Sequence, residues 1–459
     1  MKINLPAFVE KILDTFEKNN YQIYIVGGGV RDMLMGKEPL DWDFTTNAKP
    51  KIILNLFDDA FYDNKFGTVG IPDPKEKKDK FGKPLVYEIT TFRKETGYSD
   101  TRHPDKITWG KTVEDDLIRR DFTMNAIALK KENGDFKIID PHKGQEDIKK
   151  KTIRAVGKPE ERFKEDALRM MRAIRLATQL GFSIEKNTFQ AIKNNVDLID
   201  KISAERIRDE LLKLFSYEHN ADGYMLLRNS GLVEKILPET EKGFGVDQKS
   251  PKRHHIWDVG THSVKSLETS KSTDPILNLA ILLHDVGKPL VARKQKDGTI
   301  TFYNHEITGA TIAQSVAKRL KLSNKDKKRL VTLVRWHQFS LNENQTDKAI
   351  RRFIKNVGKE NIEDMLTLRR SDRLGGGAKE TSWRLEKFKK KIKEVQKQPF
   401  KVSDLKVNGK DVIKTLKIKP GPTVGKILNN LFDEVVNKKI ENKREILLKR
   451  IKGVKKIKI

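Results

Sequence analysis

Cysteine is absent from all 459 residues. That excludes disulfides, thiolate metal sites and a cysteine nucleophile. Apolar runs long enough to span a bilayer are also missing. Aromatic residues are sparse at 7%, although 37% hydrophobic content can still fill several cores. Acidic residues are short of balance, 64 against 93 Lys and Arg, leaving a net charge of +29. Such an excess suits a polyanionic partner, and nucleic acid fits better than a membrane surface because neither end shows an amphipathic anchor. The opening Met1-Lys2-Ile3-Asn4-Leu5-Pro6 has no signal-peptide apolar stretch, so the expected location is the cytoplasm. At roughly 100–200 residues per domain, several domains are expected.

What is present begins with the run Val26-Gly27-Gly28-Gly29-Val30-Arg31-Asp32, followed by Asp41-Trp42-Asp43-Phe44. The apolar Tyr24-Ile25-Val26 before the glycines reads as strand, tight turn, helix. A glycine turn lets backbone N–H groups approach a phosphate. Residues two apart on a strand share a face, so Asp41 and Asp43 place two carboxylates side by side. They need a compensating cation, and hard oxygen ligands favour Mg²⁺. Alone, each motif is more often a turn or a solvated strand end. Together, a helix length apart, they point to nucleotidyl transfer by metal ions.

Residues 1–150 alternate strand-like segments (Tyr21–Val26, Trp42–Thr45, Val69–Ile71, Leu85–Phe92, Phe136–Ile139) with helical ones. Pro72–Lys80 reads as an exposed hairpin loop, and Gly97–Trp109, with Tyr98, Arg102, His103 and Pro104, as a mobile loop over the site. Glu88 falls on a strand and is a candidate third carboxylate. Arg119 and Arg120, in Asp115-Asp116-Leu117-Ile118-Arg119-Arg120-Asp121-Phe122-Thr123-Met124-Asn125-Ala126, suit triphosphate oxygens. Beyond residue 150 the pattern is helical, as in Ala167–Leu180 and Ala204–Phe215. Lys242–Arg253 reads as a linker. The chain closes on a basic helix, Glu441–Lys452, and a Lys-rich tail.

The order Gly-Gly-x-x-Arg-Asp, Asp-x-Asp, Arg-Arg-Asp-Phe-Thr-x-Asn-Ala, continued by Glu165-Asp166-Ala167-Leu168-Arg169, Glu205-Arg206 and Glu210, resembles the bacterial class II tRNA nucleotidyltransferase and poly(A) polymerase family over about the first 215 residues. The resemblance implies an α+β chain: a polymerase-beta-like head with a mixed sheet, then an all-helical neck, body and tail. It implies Mg²⁺ on Asp41 and Asp43, and nucleotide contacts from Gly28, Arg31 and Arg120. It also implies that Asp166 and Arg169 act as a protein template for CTP and ATP, with Arg172 and Arg175 as nearby nucleotide contacts. The chemistry agrees. Cytosine and adenine both offer an exocyclic amine to a carboxylate and a ring nitrogen to a guanidinium, whereas uracil and guanine put a carbonyl where the amine would be. Spacing puts Asp166, Arg169, Arg172 and Arg175 on one helix face.

Histidines concentrate downstream: His262, His284-Asp285, His305 and His337, with Asp372 beyond. The set resembles HD-domain metal phosphohydrolases. It implies a second divalent metal of unassigned identity, with a bridging water that attacks phosphate. The alternative is a relic kept for packing. The expected organisation is head 1–150, helical neck and body 151–245, HD domain 246–390 and tRNA-binding tail 391–459. The expected reaction is template-free addition of CCA to tRNA from CTP and ATP. Addition of A alone and poly(A) synthesis are the rivals, and from another class an HD phosphohydrolase whose head only binds nucleotide or RNA.

Overall fold

The computed structural model describes residues 5–39, 41–64, 67–77, 84–97, 106–132, 134–248, 256–339, 346–380, 382–396, 402–436 and 439–454. The chain forms two compact units: Met1–Arg335 with Leu374–Gly377, and Trp336–Arg373 with Ala378–Ile459. Among the described residues no helix is long and apolar enough to cross a membrane.

The first unit opens on the helix Ala7–Lys18, whose Val9, Ile12, Leu13 and Phe16 are buried at helical spacing. Among the described residues up to Ile139, nine strands follow: β1 (Ile23–Val26), β2 (Asp43–Thr46), β3 (Phe61–Asn64), β4 (Thr68–Pro72), β5 (Val86–Thr91), β6 (Arg93–Thr96), β7 (Lys106–Trp109), β8 (Ala128–Glu132) and β9 (Asp135–Ile139). Seven of them make one mixed sheet in the order β3-β4-β5-β2-β1-β8-β9. The pairs are antiparallel except β2 with β5, which run parallel. All four residues of β1, an interior strand next to the central β2, are buried.

Several sequence expectations shift. β2 starts at Asp43, so Asp41 lies just before the strand and not on it. Exposure still alternates: Asp41 out, Trp42 in, Asp43 half-buried. The β4–β5 connection is a hairpin whose described part is tied by the buried Asp73, which accepts from the backbone N–H of Lys75 and the Tyr87 hydroxyl (2.8 and 2.9 Å). Residues 106–109, expected in a loop, pair with β6 as β7. Tyr98, Arg102, His103 and Pro104 lie outside the described residues.

Beyond the sheet the chain is mainly helical, with two short strand pairs, Thr152–Ile153 with Ser183–Ile184 and Arg293–Lys294 with Ile300–Thr301. Pro159–Glu165 is followed by an extended link and then by Leu168–Leu180, which closes on Gly181 in the left-handed region. The latter helix is buried nearly all round, including Arg175, so it is a central strut and not an amphipathic surface helix. Ala204–Phe215 packs beside it. The segment expected as a linker is anchored: Val259 and Gly260 donate backbone hydrogen bonds to Val246 and Gly243 (3.1 and 2.8 Å), and Gln248 is buried.

In the second unit, Asp347–Val357 buries Ile350, Phe353, Ile354 and Val357, and Phe339, Phe353 and Phe388 form a ring cluster. Three more helices, Gly409–Leu416, Pro422–Val436 and Arg444–Val454, share a core that includes Val412, Leu416, Leu431, Leu447 and Ile451.

Candidate active site and histidine cluster

The glycine turn between β1 and the helix Gly28–Leu34 is built around Gly27, with φ at +80°. A Cβ there would meet Asp43 Oδ2 at 2.9 Å and Arg120 Nη1 at 3.2 Å. Only glycine both adopts this backbone and leaves room beside the carboxylate. The sequence reading chose Gly28; the residue under constraint is Gly27. At Gly28 an added Cβ would meet nothing nearer than Arg31 Nη2 at 3.5 Å.

Asp43 is paired in register with Val26 on one side and Glu88 on the other. In-register neighbours project to the same sheet face, so Glu88 joins the aspartates there. Burial raises the Asp43 pKa and the neighbouring Asp41 adds to it, against the pull of Arg120. A carboxylate group loaded in this way suits a divalent cation on oxygen ligands.

Arg120 is aimed by Asp116, which is fully buried and bracketed by two guanidinium groups: Arg119, and Arg120 at 3.0 Å. Burial opposes ionisation of Asp116, but the two arginines outweigh it and hold its carboxyl below the usual range. Arg31 points inward. Its guanidinium is buried and donates to Asp32 Oδ1 (2.7 Å) and Asn125 Oδ1 (3.1 Å). The Asn125 amide nitrogen in turn donates to Asp121 Oδ1 at 3.1 Å.

Asp121 also accepts from Arg172 Nε and Nη2 (2.9 and 2.7 Å). Burial pushes its pKa up, yet Arg172 holds the carboxyl well below the carboxylate range. Asp166 is not on the long helix, as spacing suggested. It sits in the extended link before it (φ −147°, ψ 104°), where Oδ1 accepts the Leu168 backbone N–H (3.0 Å). Arg169 donates to Glu165 (2.6 Å) and the Arg119 carbonyl (3.0 Å). Arg175 is buried against Glu210 (2.7 Å) and Gln179 (2.8 Å).

A second cluster lies farther along the first unit. The helix Pro275–Leu283 delivers His284 and Asp285, and His305 starts the helix His305–Arg319. Asp285 is fully enclosed, with His284 Nε2 at 3.2 Å, His305 Nε2 at 3.3 Å, His262 Nε2 at 3.7 Å and Lys288 Nζ at 2.6 Å. Burial disfavours its charge, but His284 and Lys288 hold its pKa far below normal. Backbone carbonyls of Ile281 and Phe302 lie 2.7 and 2.8 Å from Nδ1 of His284 and His305. That fixes both rings with Nε2 toward the aspartate, as metal-ligating histidines require. His337 and Asp372 belong to the second unit.

Residues 23–154 match the model of the poly(A) polymerase head domain, 181–244 that of the RNA and SrmB-binding site of polymerase A, and 299–451 that of tRNA nucleotidyltransferase domain 2. A CCA-adding enzyme from Ligilactobacillus salivarius is 32% identical over 454 residues, covering 98% of this chain and 97% of that one. The chain belongs to the CCA-adding enzyme family. Another member, from Lactobacillus helveticus, is 42% identical over 226 residues, an alignment that covers 49% of this chain and only about half, 54%, of that relative. The crystal structure of the Bacillus stearothermophilus CCA-adding enzyme with CTP superposes with a TM-score of 0.69 at 28% identity, covering 99% of this chain and 98% of the other.

The head of this CCA-adding family member is therefore a nucleotidyltransferase head, with Asp41, Asp43, Glu88, Gly27 and Arg120 converging on one face of its sheet. The sequence motifs contain Gly27, Asp116, Asn125 and Arg206, but sequence reasoning gave none of them a role of its own. The run around Asp116 and Asn125 carried a signal, since Asp116 stands one helical turn before Arg120. Arg206 stands in the Glu205-Arg206 motif, with nothing local to name its partner.

Proposed function

We propose that the protein adds CCA to the 3′ end of tRNA from CTP and ATP without a nucleic-acid template, in the cytoplasm. The observation that carries this is the convergence of Asp41 and Asp43 beside the Gly27 turn, in a chain related end to end to CCA-adding enzymes. The tRNA 3′ oxygen bonds to the α-phosphate, and the bond to pyrophosphate breaks. Mg²⁺ held by Asp41 and Asp43, with Glu88 as a third carboxylate, would activate the hydroxyl and neutralise the leaving pyrophosphate. Gly27 and Gly28 let the backbone approach the triphosphate, and Arg120, with Arg31 beneath Gly28, answers its charge. Asp166 and Arg169 read the base, with Arg172 and Arg175, tied to Asp121 and Glu210, beside them on the helix Leu168–Leu180. We assign head, neck and body, HD domain and tail as 1–150, 151–245, 246–390 and 391–459.

A second activity is supported by the Asp285 cluster. His262, His284, Asp285 and His305 would hold a divalent metal and activate water toward a phosphate ester, with the charge of Lys288 close by. One incubation separates the rivals. Each NTP is offered with tRNA ending before CCA, before CA and before A, and the 3′ ends are sequenced. Completion of CCA from every start supports this reading; extension only from the CC end means A-addition, and long A tails mean poly(A) synthesis.

A further inference from the structure

Arg206 stands on the helix Ala204–Phe215, one turn before Glu210. Its guanidinium meets the Asp166 carboxylate with both forks: Nη1 donates to Oδ1 at 3.2 Å and Nη2 to Oδ2 at 2.7 Å. The Leu168 N–H adds a third donor to Oδ1 at 3.0 Å. Glu210, on the same face of the helix as Arg206, grips Arg175 at 2.7 Å. One helix thus clamps the start of the base-reading strut through Asp166 and its middle through Arg175.

We propose that Arg206 is the positioning residue that sets nucleotide choice, by fixing Asp166 as a group that can only accept hydrogen bonds. This rests on the reading of Asp166 as a base-reading residue. A carboxylate has about four lone-pair sites. The three donors occupy both sites on Oδ1 and one on Oδ2, so one acceptor direction on Oδ2 remains. An exocyclic amine of cytosine or adenine supplies the N–H it needs. The carbonyl of uracil or guanine would set lone pair against lone pair. A carboxyl rotated away, or turned to present an O–H, would lose this distinction, because an O–H donates to a carbonyl. The planar guanidinium blocks both escapes. Rotation breaks its two parallel bonds, and a cation paired with both oxygens favours the carboxylate, which carries no O–H, over the acid. Lysine offers no such fork.

The test uses the full chain and tRNA lacking CCA, and compares kcat/KM for CTP, ATP, UTP and GTP. Arg206→Met should raise UTP and GTP use relative to CTP and ATP by about tenfold or more, since the site no longer leaves a wrong base's carbonyl unpaired. Arg206→Lys, which keeps the charge but not the fork, should recover only part of the discrimination. Equal loss for all four nucleotides, or unchanged ratios, overturns the proposal. Asp166→Ala separates the two layers. Unchanged ratios in that variant bring down the base-reading role itself. Relaxed ratios there, with Arg206→Met still selective, overturn the role of Arg206 alone. If Arg206→Met does not fold by circular dichroism, Arg206→Lys decides: relaxed ratios support the proposal and wild-type ratios overturn it.

Discussion

Asp43 and Glu88 face each other in register across the parallel pair β2 and β5. It is the sheet's single parallel pairing, and it brings together two carboxylates 45 positions apart in the chain. Asp41→Ala or Asp43→Ala should lower nucleotide addition by at least about a thousandfold, the several kcal/mol expected of a lost metal ligand. tRNA affinity, which draws on charge spread over the whole chain, should stay within about twofold. Glu88→Gln should cost less than either aspartate, because the exposed Glu88 joins the pair from a neighbouring strand and its amide keeps an oxygen ligand. Single-turnover addition and filter binding check both statements. Residual turnover within tenfold of wild type in either aspartate variant would falsify the metal-ligand assignment.

Gly27→Ala should be nearly as damaging as loss of an aspartate, and Gly28→Ala mild. The first needs φ of +80° and drives a methyl onto Asp43 and Arg120, with strain of about 1–3 kcal/mol before any displacement of the carboxylate. The second meets nothing nearer than the Arg31 guanidinium at 3.5 Å, an ordinary contact distance. Steady-state kcat/KM for ATP compares them. Equal effects would mean that the turn is not pressed against the carboxylate.

The head was legible where chemistry is dense. The glycines, the Asp-x-Asp pair and the Arg-Arg-Asp run each carry residue types that a bland surface would not assemble. The later run Glu165-Asp166-Ala167-Leu168-Arg169 failed in detail for a physical reason: spacing at i, i+3 put Asp166 on the helix with Arg169, but its backbone is extended and its carboxylate accepts the Leu168 N–H, so it stands between two helices. Strand β8, Ala-Leu-Lys-Lys-Glu, has low intrinsic strand preference, and pairing with β1 and β9 overrides it. The following Asn133-Gly134 was the available hairpin signal. Arg206 stands in the Glu205-Arg206 motif, but its pairing with Asp166 was not legible from sequence. Its partner lies 40 residues away, and arginine on a helix is otherwise commonplace.

Asp121 links pH to stability. Its folded pKa is depressed by Arg172, so the stabilisation is present in full above the unfolded value of about 3.9 and disappears as pH falls through the folded value. Asp121→Asn should cost about 2 kcal/mol at pH 7, a modest figure because Arg172 is 36% exposed and water screens the pair. The difference between variant and wild type should shrink steadily below pH 4. Urea midpoints from pH 2 to 7 measure it. A gap that stays constant over that range would show that the loss is one of packing, not charge.

Net charge of +29 makes tRNA affinity steeply salt-dependent. Deleting the terminal helix Arg444–Val454 is a poor test, since Leu447 and Ile451 are fully buried in the core of that segment. Exposed Lys443, Lys449 and Lys452 offer a cleaner one. Their triple change to Glu should weaken binding and flatten the plot of log affinity against log salt while the melting temperature holds. An unchanged slope would place the RNA-binding charge elsewhere.

The last prediction concerns Asp285. Lys288 Nζ, itself buried, sits 2.6 Å from it and donates to Gln248 at 2.8 Å. Removing the carboxylate would strand that ammonium, at a cost of about 3–5 kcal/mol. Asp285→Ala alone therefore confuses lost chemistry with lost fold, and Asp285→Asn with His284→Gln keeps shape and polarity. This pair should abolish metal-dependent hydrolysis of small phosphate esters and of 2′,3′-cyclic phosphates, and spare CCA addition to within about twofold. Independence is a demanding expectation here. The helix ending at His284 sends Asn278 to the Phe215 carbonyl, 2.8 Å away, at the end of the same helix that carries Arg206 and Glu210. If the double variant stays folded yet misincorporates UTP, that contact couples the two sites. If wild-type protein hydrolyses none of these esters with any of Mg²⁺, Mn²⁺, Co²⁺, Ni²⁺ or Zn²⁺, the histidines serve packing alone.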